Sequence, residues 1–277
     1  MNTPSPCGTA IDANRMSSWL ARFEGYRVSV SEHRINAWLQ QFHRHSETET
    51  DLGARILDAV FFVKSEQMEA AFSQIITGLP GWHKNEKKRK GRWRFLAFSV
   101  GAGESGDTML HKFRTALGLA GNQYKSLFIY KSDLLREQLC AQDNIVLIDD
   151  FAGTGKQACN AWRDIFAELL PGNPKTYLMV IAAGQRAVDR INQETKLRVA
   201  ARYILGSDDD IFSEACRHFT QQDKDRLAEY CSIANSQWPR GYGDCGFVLV
   251  LAHRTPNNSI PVLYAEHRRW KGLFPRY

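Results

Sequence analysis

Apolar and polar positions along this chain follow two different periods, and the change between them falls near residue 95. Residues 13 to 78 keep the helical period. Trp19, Leu20 and Phe23 predict a first helix. Ser31 stands as N-cap to a second, in which Ile35, Trp38, Leu39 and Phe42 form one apolar face. Leu52, Ile56, Leu57 and Val60 predict a third. Ser65 followed by Met68, Phe72, Ile75 and Ile76 predicts a fourth, stopped by Gly78 and Pro80. Residues 1–80 therefore read as an all-helical N-terminal region, with residues 1 to about 12 a loose polar tail. Such a region can cap the domain that follows, or contact DNA as a helix-turn-helix. No helix rich in Arg, Asn and Gln stands out, which favours the cap.

Beyond a basic linker at 81–94, apolar runs replace the helical period. Strands are predicted at 95–100 (FLAFSV), 126–130 (SLFIY), 145–148, 176–184 (TYLMVIAAG) and 199–205 (VAARYIL). Helices are predicted between them: from Asp107 to Leu119, at 133–139 behind Ser132, along Ala158, Trp162, Ile165, Phe166 and Leu169, and through Ala187 and Ile191. A last one is predicted at 213–235. Strand alternating with helix predicts an α/β fold with a doubly wound parallel sheet over 95–277. The acidic run 207–214 (SDDDIFSE) reads as helix-capping carboxylates rather than a metal site.

Composition narrows the class. The 277 residues, 43% apolar and 24% charged, suit a globular chain with a sizeable core. No window is apolar enough to span a membrane, and MNTPSPCGTA has neither the basic nor the apolar part of a signal peptide. The six cysteines form no CxxC pair and read as reduced thiols, which together predict a cytoplasmic protein.

The chemistry gathers at 144–157, NIVLIDDFAGTGKQ. A buried strand delivers the adjacent carboxylates Asp149 and Asp150, and a Gly-Thr-Gly turn leads into a helix. Paired acids suit a ligand diol, and a Gly-rich loop at a helix start suits phosphate. A second Gly-rich loop, Gly101, Ala102, Gly103, Glu104, Ser105 and Gly106, stands one strand–helix unit earlier. Its backbone amides are free of bulk and can approach a pyrophosphate. Asp149 and Asp150 as a mere helix cap is the weaker reading, because two acids at a buried strand end are costly without a partner. A Walker A loop is excluded, since it would need Gly at 150 and Ser or Thr at 157.

VLIDDFAGTG resembles the signature of type I phosphoribosyltransferases. The resemblance implies that Asp149 and Asp150 approach the ribose hydroxyls of phosphoribosyl pyrophosphate (PRPP). It also implies that Phe151, Ala152, Gly153, Thr154, Gly155, Lys156 and Gln157 form the 5′-phosphate loop, with Thr154 as hydroxyl donor. Residues 101–106 then take the pyrophosphate, with Lys131 adding charge, and Mg²⁺ is expected with the substrate, touching Asp149 and Asp150 indirectly through the diol or water. Lys156 and Gln157 depart from the small, hydroxylated ending usual there. The stretch 241–264 (GYGDCGFVLVLAHRTPNNSIPVLY) with LFPR at 273–276 resembles a divergent bacterial group of phosphoribosyltransferase-like proteins of conflict and anti-phage systems, including effectors of some retrons. A tight turn between strands explains PNNSIP equally well.

One feature lies outside that resemblance. Lys84, Lys87, Lys88, Arg89, Lys90, Arg92 and Arg94 face only Glu86 within KNEKKRKGRWR. They can contact nucleic acid through phosphates, with Trp82 and Trp93 to stack, or form a solvated loop that draws in a polyphosphate. Three functions compete. The first is an effector or toxin of a defence system, acting on PRPP, a nucleotide or a nucleic acid. The second is a salvage phosphoribosyltransferase for a nucleobase. The third is a non-catalytic sensor of PRPP or nucleotide. The expected partners are PRPP or a nucleotide, with a nucleic acid, a nucleoprotein such as a reverse transcriptase with its DNA and RNA, or a neutralising protein. No membrane partner is expected, and the oligomeric state is open.

Overall fold

A computed structural model describes residues 12–43, 49–99 and 105–277. The chain divides into two compact units, Met1–Ser65 with Ser207–Tyr277, and Glu66–Gly206. These cuts differ from the expected 1–80, 81–94 and 95–277, and the difference has a physical source in the first unit.

That unit opens with α1 (Ala13–Phe23), α2 (Glu32–Leu39) and α3 (Thr50–Ala59), then β1 (Phe61–Val63). Ser31 caps α2 as expected, its side chain accepting from the Arg34 amide at 3.3 Å. The apolar faces of these helices meet no core of their own. Trp19, Phe23, Ile35, Trp38 and Phe42 are buried together with Leu227, Tyr230, Val262, Trp270 and Phe274, all from the last 71 residues. The N-terminal region is also not wholly helical: β1 pairs in parallel with residues 249–251, Phe61 opposite Leu249.

The second unit carries α4 (Ser65–Gly78), β2 (Trp93–Ala97), α5 (Ser105–Ala116), β3 (Asn144–Ile148), β4 (Phe151–Ala152), α6 (Lys156–Ala161), α7 (Ala167–Leu169), β5 (Lys175–Gly184), α8 (Gln185–Glu194) and β6 (Leu197–Leu205). A π-helical turn, Trp162–Phe166, joins α6 to α7. All the pairings in this sheet are parallel, β2 beside β3, β3 and β4 beside β5, and β5 beside β6. The expected parallel α/β sheet is present.

Two expected elements are absent. Residues 126–130 do not form a strand. A 3₁₀ turn, Asn122–Leu127, uses up that stretch, and Phe128 alone bridges Phe95. Residues 133–139 lack a full helix, since the 3₁₀ turn ends at Asp133 and Gln138 adopts φ +45°. The bridge still matters. Phe95 pairs with Val146 of β3 on one side and Phe128 on the other, so the chain leaving β2 returns on the edge away from β3. The chain leaving β3 goes the other way, to β5. The carboxyl ends of β2 and β3 therefore flank a topological switch point, where open α/β sheets bind ligands.

The chain closes the first unit with α9 (Gln221–Ala234), β7 (Leu249–Leu251), β8 (Glu266–His267) and β9 (Trp270–Lys271). The helix expected from 213 begins only at Gln221, because Thr220 and Asp223 form a capping box there. In the acidic run, Asp210 caps a local turn by accepting from the Phe212 amide at 2.9 Å. The polar groups of PNNSIP turn inward. Asn258 donates to Tyr242 O at 2.9 Å and Ser259 to Leu249 O at 2.7 Å, which makes this segment a brace for the 241–246 loop.

Candidate active site

β3 is buried along its whole length because Ile145, Val146, Leu147 and Ile148 are covered on both faces. The strand does not end at the two acids. Ile148 stands opposite Met179 and Phe151 opposite Ala182, so β4 resumes the same register after a break of two residues. Those two are Asp149 and Asp150. The Asp149 amide still donates to Met179 O at 3.0 Å, and Asp150 O accepts from Ile181 at 3.0 Å. The pair is thus an interruption inside a sheet, fixed by backbone bonds on both sides.

Asp149 is 7% exposed and Asp150 9%. The Asp150 amide donates to Asp149 Oδ1 at 2.9 Å. Ser105, the first residue of α5, brings its hydroxyl to both acids, 2.7 Å from Asp149 Oδ1 and 3.0 Å from Asp150 Oδ1. Burial and the adjacent Asp150 carboxylate push the Asp149 carboxyl well above the usual range. A hydroxyl group shared by two buried carboxylates marks where donors are wanted.

Gly106 lets α5 begin this close to the strand end, since a Cβ there would meet Phe98 O at 2.5 Å. Gly155 ends the second loop at φ +73°, and a Cβ there would lie 3.0 Å from Ala187 O. Ala152 and Gly153 are buried, Phe151 and Thr154 half-buried, and Lys156 and Gln157 exposed at the start of α6. Thr154 Oγ1 accepts from the Lys156 amide at 3.4 Å. Lys131 Nζ donates to Ser99 O at 3.3 Å, which places its ammonium at the end of β2. Gly101, Ala102, Gly103 and Glu104 lie outside the described residues. Sequence reasoning placed Ser105 with that loop and missed its bridge to the acids, a contact 44 residues apart that no local pattern signals. Among the described residues no three His, Cys, Asp or Glu gather as a metal cluster.

The basic segment is less open than its sequence suggests. Arg92 pairs with Asp143 at 2.7 Å and Arg94 with Glu137 at 2.7 Å, so two of its charges are matched by acids from elsewhere. Asp143 is buried, which alone would raise its pKa. The Arg92 guanidinium and the Cys140 and Arg92 amides outweigh burial and hold it well below the usual range. Trp93 is fully buried and Trp82 packs edge-on against it at 5.3 Å, under the Arg89 guanidinium. Trp93 is therefore core, and Trp82 is half-buried, packed against Trp93 with Arg89 over its ring.

The PRTase-CE family model matches residues 35–276, a span that takes in the second compact unit whole and most of the first. No curated protein matches the chain. Among solved structures, the AQ2163 protein from Aquifex aeolicus is similar over 63% of this chain and 83% of its own, at 12% identity and a TM-score of 0.32. A likeness that loose carries no argument. Among the described residues no helix is long and apolar enough to cross a membrane.

Proposed function

The chain belongs to the PRTase-CE family, and on that premise we propose that Asp149 and Asp150 bind the ribose hydroxyls of PRPP or a related nucleotide in a transfer at the anomeric carbon. The observation that carries this is the pair itself, two buried carboxylates at a switch point sharing one hydroxyl donor. A ribose diol offers one donor to each acid, where Ser105 offers a single hydroxyl between them. Departure of pyrophosphate leaves positive charge on the ribose ring. Carboxylates preorganised beneath it, themselves buried, stabilise that charge as it develops. The amides of 153–157 suit the 5′-phosphate, and Lys131 stands where it can add charge to the leaving group.

The residues present suit Mg²⁺ only as a passenger of the substrate: the acid pair would reach it through the diol or a water, and no third acidic group joins them among the described residues. When bound, it would neutralise the pyrophosphate. In this reading the chain is the effector of a bacterial defence system, of the retron or toxin–antitoxin kind, a role motivated by the resemblance at 241–264 and 273–276.

The test is pyrophosphate release from PRPP and growth on expression, for the wild type and for Asp149→Asn with Asp150→Asn. Loss of both in the variant is expected. A variant that kept its toxicity or its phage protection would sink the enzymatic reading. Binding without turnover by the wild type would favour a sensor.

A further inference from the structure

The basic segment separates into residues that build a loop and residues that the loop presents. Its arginines build. Arg92 holds Asp143 and caps the carbonyls of Glu137 and Gln138, each at 2.9 Å. Arg89 donates to His83 O at 2.9 Å and lies 5.3 Å over the Trp82 ring. The backbone closes on itself, with the Lys90 amide on Gly81 O at 2.9 Å and the Lys87 amide on the Asn85 side chain at 3.0 Å. A merely solvated loop needs no such anchoring, since surface connections are ordinarily mobile.

Its lysines are presented. Lys84, Lys87, Lys88 and Lys90 are all on the accessible side of the loop, none of them buried. The Lys84 ammonium touches Leu117 O at 2.8 Å and keeps its other donors. Among the described residues no hydrogen bond or ion pair engages the side-chain ammonium of Lys87, Lys88 or Lys90. Glu86 is the one acid within 81–91, and the stretch 117–125 that Lys84 reaches adds Lys125 and no acid.

We infer that the loop 81–91 docks the phosphate backbone of a nucleic acid through Lys84, Lys87, Lys88 and Lys90, without base stacking. An acidic protein fits less well. Tight protein interfaces rest on aromatic or arginine anchors, and here Trp93 is buried, Trp82 is half-buried with Arg89 over its ring, and Arg92 is held by Asp143. Phosphate contacts by lysine need charge and reach, not a fixed fork. The surface is separate from the acid pair's role and does not depend on the donor reading.

The test is fluorescence anisotropy of labelled single-stranded and duplex DNA with the full chain over a salt series. The second sample is the variant Lys84→Gln, Lys87→Gln, Lys88→Gln and Lys90→Gln. Wild type should bind with log K falling linearly in log salt. The variant's slope should be shallower by about 0.9 per lost contact on duplex, or about 0.7 on single strands. Its affinity should fall at least about tenfold. An unchanged melting temperature would show that the variant is folded, and Lys88→Gln alone, shallower by one contact, serves if it is not. Absence of wild-type binding at low salt, or a variant with unchanged slope, overturns the inference. So does polyglutamate that competes as well as DNA at matched charge, since that assigns the loop to an acidic protein.

Discussion

Replacing Asp149 by Asn should stabilise the ligand-free protein, although it removes a group from the candidate active site. The 2.7 and 3.0 Å contacts to one Ser105 hydroxyl cap the separation of the two carboxylate oxygens at about 5.7 Å. Two full charges at that distance repel by about 3 kcal/mol at an effective dielectric of about 20. Burial and Asp150 raise Asp149, so the folded chain holds a proton at pH values where the unfolded chain has released it. Above the unfolded value near 3.8 the native state binds more protons than the unfolded state. Stability therefore falls as pH rises, until the raised folded value is passed. Asparagine still offers an oxygen to Ser105 and to the Asp150 amide, but carries no charge. Its advantage should be absent in acid, grow as pH rises, and reach about 1–3 kcal/mol near neutrality, or about 2–4 °C in melting temperature per kcal/mol. Thermal and urea unfolding of both proteins across that pH range, without ligand, measures it. A variant equal to or less stable than wild type at neutral pH would refute the reasoning, and would mean that the pair is already neutralised by something the fold supplies.

Two further outcomes follow from particular contacts. Ser105→Ala should tighten PRPP binding by up to about tenfold in calorimetry, because the serine hydroxyl competes with the ligand's diol for the same oxygens; weaker binding would make Ser105 a helper instead. Arg92→Ala should cost about 1–3 kcal/mol in urea unfolding, since it strips the partner from the buried Asp143 carboxylate, with the low end favoured by Arg92's own exposure. Asp143 is depressed in the folded state, so its contribution is present above the unfolded value near 3.8 and is lost as pH falls through the folded one. The variant's deficit should accordingly shrink in strong acid.

What could be read from the sequence was local. Ile145 to Ile148 announce a buried strand by composition alone, and the acids and glycines after them announce a site by their order. What could not be read was long-range. Trp38 and Phe42 have the same helical spacing whether they pack on neighbouring helices or, as here, on Trp270 and Val262. The run at 126–130 looks like a strand, yet only Phe128 finds a partner on the edge of β2. Asp149 and Asp150 look like a strand's end until the register beyond them is known. Arg92 looks like a free charge until Asp143, 51 residues away, is placed beside it. Each miss is a pairing set by tertiary packing, which overrides local pattern.

The most direct test of the acid pair's role is calorimetric titration of PRPP with Mg²⁺ into the wild type and into Asp149→Asn with Asp150→Asn. The account predicts saturable binding to the wild type, abolished in a variant that is folded and no less stable. Absence of heat with the folded wild type, or equal affinity in the variant, would contradict it.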